Sequence, residues 1–220
     1  LVTRLPKEMK IQARVGKPQV TYRESVSKTA SGSDTFSKML AGKEHAAGIS
    51  MTVKPLPSGS GTKYRLSAKT RGIDEIYLEA VKRGVTNAFR GGIQFGYEVC
   101  DLEVEVTDLV YHELTASEFA FEACAAMCFD KVAQSAGPML MEPVMKVTVV
   151  VPSQYVGEAI SSITSRGGLV HSIESRTASE HIHAQAPLSQ LFGYSTALRS
   201  ATQGRGTFSM EFDHYEQKTR

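Results

Sequence analysis

The segment DLVYHELTASE, residues 108–118, sets a Tyr–His pair, Tyr111 and His112, between two well-patterned stretches. A phenol beside an imidazole can stack on a nucleobase or bond to phosphate and 2′-hydroxyl groups, whereas a plain connection is made more simply with Gly, Asn or Asp. The competing reading is a surface loop in which Tyr111 and Leu114 fold back on the core. Glu113 stands beside the pair. A second stretch, AGKEHAAG, offers Gly42, Lys43 and His45, a cation and an imidazole that can meet phosphate or simply water. In LRSATQGRG, Arg199, Gln203 and Arg205 follow a helical pattern, and Arg166 lies in SRGG. Side by side, the two helices would gather these four into a phosphate-binding edge; the plainer reading is cations that complement a helix dipole.

Other chemistry is weaker. His181 and His183, two apart on a strand, point the same way, as metal ligands can, but no third ligand is assignable beside them. Cys124 and Cys128 fall at i and i+4 on an apolar stripe, where a thiol packs. GSGTK, residues 59–63, joins two strands, whereas a phosphate loop has the form G-x-x-x-x-G-K-[ST] and leads from a strand into a helix. No G-x-S-x-G, H-E-x-x-H or C-x-x-C occurs. The residues offer no catalytic and no metal site.

The elements that must position these residues are legible from periodicity. Thr115 and Glu118 form T-x-x-E, a capping box, ahead of a helix from Ser117 to about Ala136. YEVCDLEVEV, residues 97–106, alternates as a half-buried strand, and DEIYLEAVKRGVTNAFRGG reads as a helix stopped by Gly91-Gly92. Earlier, PQVTYRESVSKTA reads as a strand whose apolar face is interrupted by Glu24. SGSDTFSKMLAGKEHAAG, residues 31–48, reads as a long loop or hairpin tip, and ISMTVKPL and TKYRLSAKT as strands. Past Pro138 and Pro143 the order is strand, helix capped by Ser153, hairpin through TASE, helix, strand. That β-α-β-β-α-β order is the split βαβ, ferredoxin-like plan. The boundary is placed near residues 138–143, with an α+β domain on each side.

The bulk numbers permit this. A chain of 220 residues, 41% hydrophobic and 22% charged, holds one or two domains. No run reaches the roughly 18 apolar residues of a membrane helix, and three cysteines make no secreted framework, so a cytoplasmic location is expected. A net charge of +2 neither demands nor excludes a polyanionic partner. EMKIQARVG reads as the end of something that precedes it.

Four phrases together resemble the C-terminal half of bacterial elongation factor G, the translocation GTPase: ARVGKPQVTYRE, YHELTASEFAFEA, GPMLMEPVMKV and LFGYSTALRSATQGRGTFSMEFDHYE. The resemblance covers the whole chain. It implies that residues 1–16 are the tail of a preceding domain. Residues 17–140 would then be the fourth domain, of the ribosomal-protein-S5 domain-2 type, and residues 141–220 a ferredoxin-like fifth domain. The GTPase domain, with GTP and Mg, would lie elsewhere in the parent, leaving this chain no enzyme and without a cofactor. Implied partners are the ribosome, through ribosomal RNA and the A-site of the small subunit, the transfer RNA–messenger RNA pair and ribosome recycling factor. The chain would be a monomer with no membrane contact.

In the family the far end of the fourth domain carries Tyr-His within Gly-Ser-Tyr-His-x-x-x-Ser-Ser-Glu. Tyr111, His112, Ser117 and Glu118 match that setting; Leu109, Val110 and Ala116 depart from it. The companion loop is usually Gly-Gly-Arg-Gly-Gln-Tyr-Gly-His. Here Gly42 matches, Lys43 replaces Arg and forgoes its planar fork, and the aromatic is absent. The resemblance thus implies decoding-region contact by Tyr111, His112, Glu113, Gly42, Lys43 and His45, and ribosomal RNA contact by Arg166, Arg199, Gln203 and Arg205. It implies promotion of translocation. Other readings are a paralogue specialised in ribosome recycling or tetracycline protection and, from another class, a stand-alone ferredoxin-like ligand-binding module.

Overall fold

A computed structural model describes residues 20–219, so the readings made on residues 1–16 lie outside the described residues. The first sheet is built from β2 (Ala30–Leu40), β3 (Lys43–Pro55), β4 (Thr62–Leu66) and β5 (Leu102–Val110), in the order β2-β3-β5-β4. Its neighbours are antiparallel except β4 and β5, which run parallel and are joined through helix α1 (Glu75–Gly91). Alternation sends Ile49, Met51, Val53, Leu102, Val104 and Val106 to one face, where all are buried. Helices α1 and α2 (Glu118–Ser135) cover that face with Ala80, Val81, Val85, Phe121, Cys124 and Cys128. The two helices come so close that a Cβ at Gly84 would collide with the Glu122 carbonyl.

The cysteines behave as packing residues. The Cys124 and Cys128 thiols donate to the carbonyls of Asp34 and Ile49, each at 3.4 Å. Burial pushes them up to about 11 and about 12, which keeps both protonated.

The second unit runs β6 (Pro138–Val151), α3 (Val156–Thr164), β7 (Leu169–Arg176), β8 (Ser179–Pro187), α4 (Tyr194–Ala201) and β9 (Thr207–Gln217). Its strands order β7-β8-β6-β9, all neighbours antiparallel, which is the split βαβ arrangement. Val147, Val149, Val151, Ile182 and Ala184 face Ile163, Tyr194 and Leu198 of the two helices. The expected α+β pair, an S5-type unit followed by a ferredoxin-like one, is what the chain forms. A short strand, β1 (Arg23–Val26), joins the second sheet by pairing with Pro138–Met141 of β6.

Several local readings are corrected. Of the two readings of residues 31–48, a long loop or a hairpin tip, the loop is excluded: they are most of the β2–β3 hairpin, paired from Ala30↔Val53 to Leu40↔Lys43. The segment looked like a loop because Ser31, Ser33, Thr35 and Ser37 face water, while Phe36 on the other side packs against the core. The Thr115 capping box does not form. Ser117 is the cap, its hydroxyl accepting the Ala120 N–H at 3.1 Å, and Glu118 turns to Arg83 at 2.7 Å. Ser153 caps no helix, because its hydroxyl donates to Glu180 at 2.9 Å and α3 starts only at Val156. The strand read from residue 97 starts at Leu102, since Asp101 takes φ +52° and breaks the extended run.

Candidate nucleic-acid interface

The β2–β3 hairpin closes on two residues, Ala41 at φ +49° and Gly42 at φ +77°. Two central residues with positive φ mark a type I′ turn, whose twist suits tight hairpins. β5 pairs with β3 only from Gly48 onward, so Lys43–Ala47 project beyond the sheet paired to β2 alone. At about 3.4 Å per residue the projection is roughly 17 Å.

This hairpin is bonded to the connection between β5 and α2, far away in sequence. The Ala46 N–H donates to the Thr115 carbonyl at 2.9 Å, and His45 Nδ1 lies 2.8 Å from Ser117 Oγ. Ser117 Oγ thus serves both the Ala120 N–H and the His45 ring. The His45 ring also stands edge-on to Phe119, with centroids 6.1 Å apart, and Phe119 packs on Phe36. His45 is therefore a half-buried brace between the loops rather than a free contact group.

The connection itself is a closed turn. The His112 carbonyl accepts the N–H groups of Thr115 at 3.0 Å and Ala116 at 2.9 Å. The His112 side chain folds over it, with Nδ1 accepting the Leu114 N–H at 3.2 Å. That bond places the neutral ring's proton on Nε2, which faces water as a donor. Tyr111 lies between Tyr77 and Phe121, with centroids at 5.6 and 5.4 Å. The exposed phenol of the sequence reading is thus a half-buried anchor, while Leu114, expected to fold back with it, is 73% exposed. Lys43 and Glu113 are exposed and make no side-chain bond among the described residues.

In the second unit the four polar residues do not form one edge. Arg166, just past α3, donates from Nη1 to the carbonyls of Gln190 at 2.7 Å and Phe192 at 3.1 Å and stacks over Tyr194 at 5.5 Å. It pins the start of α4. Arg199, Gln203 and Arg205 are exposed at the other end of α4, whose 8 residues span about 12 Å. The split βαβ makes α3 and α4 antiparallel, so the end of one meets the beginning of the other. The exit is held locally, with Thr202 Oγ1 donating to the Leu198 carbonyl and accepting the Gly206 N–H, both at 2.7 Å.

The paired strand histidines are also taken up. His183 contacts Thr148 at 3.3 Å and Glu174 at 3.6 Å, and His181 contacts Ser179 at 3.3 Å. No cluster of three metal-ligating side chains occurs among the described residues. The brace by Ser117 and Phe119 escaped the sequence reading; its signal was the Ser immediately before Glu118, a better cap than Thr115.

Comparison with known proteins covers the chain. The family described as Elongation factor G, domain IV, matches residues 18–137, and that described as Elongation factor G C-terminus matches residues 139–220. Elongation factor G 1 of Treponema denticola is 46% identical over 99% of this chain, which spans 33% of that relative. A crystal structure of a Thermus thermophilus protein superposes with a TM-score of 0.81 at 30% identity, covering 91% of this chain and 30% of that one. The chain therefore spans about a third of the length of these relatives. Among the described residues, no helix is long and apolar enough to cross a membrane.

Proposed function

The chain belongs to the elongation factor G family, and from that premise we propose that it is the ribosome-binding C-terminal part of a translational GTPase that promotes movement of transfer RNA and messenger RNA. Guanine nucleotide and Mg belong on this reading to the two thirds of the parent not spanned here, in the cytoplasm. The division of labour falls within β6, residues 17–140 carrying the tip and residues 141–220 the ferredoxin-like unit.

The observation that carries the reading is the outward Nε2–H of His112 on a tip braced from two sides. A neutral imidazole donor can bond to phosphate, 2′-hydroxyl or base acceptors. Lys43 at the hairpin end adds an exposed ammonium, worth most where phosphate density is high. A tip so tied can occupy the decoding site of the ribosome behind a moving transfer RNA and hinder its return. The turn at Gly42 and the brace at His45 shape this surface, Tyr111 anchors it, and Glu113 flanks the imidazole. In the ferredoxin-like unit Arg199, Gln203 and Arg205 meet ribosomal RNA, and Arg166 acts on them only by holding the start of α4.

The test is His112→Ala in the full-length parent. Translocation slows roughly tenfold, equal to about 1.4 kcal/mol of transition-state stabilisation, while ribosome-stimulated GTP hydrolysis stays close to that of the parent. Equal loss of both activities, or of neither, overturns the assignment.

A further inference from the structure

A carboxylate is wholly buried at the seam between the two units, and neither the tip nor the arginine end uses it. Glu24 of β1 has no exposed surface. Its Oε2 accepts the N–H groups of Ile93 at 3.1 Å and Gln94 at 2.7 Å, and its Oε1 those of Phe95 at 3.0 Å and Tyr97 at 2.9 Å. All four donors come from the loop that leaves α1. A carboxylate is the side chain that can gather four N–H donors at once, being an acceptor on both oxygens. The loop is shaped around it: Gly92 sits at φ +77°, and a Cβ there would collide with Glu24 Oε1 and the Tyr97 carbonyl.

The strand that carries this carboxylate is shared. On one edge the Glu24 backbone donates to the Glu98 carbonyl at 3.1 Å and accepts the Cys100 N–H at 2.8 Å. On the other, β1 pairs with β6, Glu24 opposite Leu140. Met141 pairs with both Arg23 and Gln217, so β1 and β9 flank β6 on opposite edges. A ladder of four residue pairs is a short hinge for a unit as long as the hairpin arm. The Glu24 side chain adds four bonds to the two backbone bonds by which this residue ties β1 to the first unit. Around it Tyr215 Oη donates to the Thr21 carbonyl at 3.2 Å, and Tyr22 packs on Tyr97 with centroids 5.5 Å apart.

We propose that Glu24 is the positioning residue that locks the tip-bearing unit to the ferredoxin-like unit, its carboxylate binding the α1–β5 loop to a strand that pairs with β6 of the second sheet. Its consequence for the tip's aim rests on the function proposed above; the lock itself does not. In Glu24→Gln an amide NH2 group replaces one oxygen and faces two backbone donors, so the loop loses half its acceptors. Glu24→Asp keeps the charge but withdraws it by one methylene.

The experiment is a pulsed dipolar distance measurement on the 220-residue chain, with spin labels on Lys43→Cys at the tip and Ser161→Cys on α3. The native thiols of Cys100, Cys124 and Cys128 are pushed up to about 12, about 11 and about 12 by burial, so the label goes to the introduced cysteines. The parent gives a single narrow distance peak. Glu24→Gln loses that peak to a broad distribution, with the circular dichroism of both units retained, and Glu24→Asp falls between. A folded Glu24→Gln with the parent's peak overturns the proposal; if that variant does not fold, an unchanged peak in Glu24→Asp overturns it. No ribosome is involved, so a null His112→Ala result with a broadened Glu24→Gln peak rejects the proposed function alone, and the reverse pair rejects the lock alone.

Discussion

The tip of the first unit and the arginine end of the second differ in how they are held, and so in what folding leaves free. The tip joins two loops from distant parts of the chain, through Ala46 to Thr115 and His45 to Ser117. The arginine end is closed by contacts within one short helix and its exit, Leu198 to Thr202 to Gly206. In both regions the polar or aromatic group nearest the core is spent on structure: Tyr111 and His45 at the tip, Arg166 beside α4. In both, the groups farthest out stay unspent. Residue type nominates a site residue, but the neighbours decide whether its polar atoms remain available. The tip's long-range ties also mean that damage beneath it should spread, whereas damage at the arginine end should stay local.

The largest expected effect breaks the tip from below. Phe121 is fully buried and holds Tyr111 and Tyr77, so Phe121→Ala should cost about 3–5 kcal/mol. It should also speed amide exchange at Ala116, whose N–H closes the His112 turn. Denaturant unfolding and exchange rates check this; a loss below about 1 kcal/mol with an unchanged tip erases the contrast. A smaller effect separates the arginines. Arg166→Ala gives up two carbonyl bonds and a ring contact from a partly exposed group, a loss of about 1–2 kcal/mol. Arg199→Ala should stay within about 0.5 kcal/mol. Equal losses would return Arg166 to the same edge as Arg199.

These contrasts explain what could be read from the chain. Element types were legible where one face is apolar: the α1 and α2 stripes and the alternation of β5 carry their own burial. The ferredoxin-like order was legible because its elements are sharply punctuated. The extent of the hairpin's strands was not, because Ser31, Ser33, Thr35 and Ser37 have the composition of a loop, and only pairing with β3 shows them as one face of a strand. The tip was legible as a location, at the hinge between β5 and α2, but not in its roles. That His45 meets Ser117 across 72 positions is a tertiary fact with no local trace. Glu24 looked like an error on an apolar face because its four donors lie some 70 positions away.

The smallest expected effect concerns His214, a group near the chain end that no motif marked. On β9 its Nδ1 lies 2.7 Å from Asp213 Oδ2 and its Nε2 2.6 Å from Glu216 Oε1. Burial alone would lower its affinity for a proton, but the bonds to Glu216 and Asp213 outweigh that and hold the imidazole above its ordinary value. Asp213 is held below the usual carboxylate range chiefly by the His214 bond, with Gln185 donating to the same Oδ2 at 2.6 Å. A folded-state value raised above the unfolded one stabilises fully below the unfolded value, about pH 6.5, and is lost as pH rises through the raised value. Because the pair sits near the surface and is screened, the contribution is below about 1 kcal/mol. Urea unfolding of the parent and His214→Gln should therefore show a gap near pH 6 that narrows at alkaline pH. A gap of equal size at both pH values would mean that neutral hydrogen bonds, and not the charge, do the holding. The end of β9 would then be fixed by geometry alone, as the tip is by His45 and Ser117.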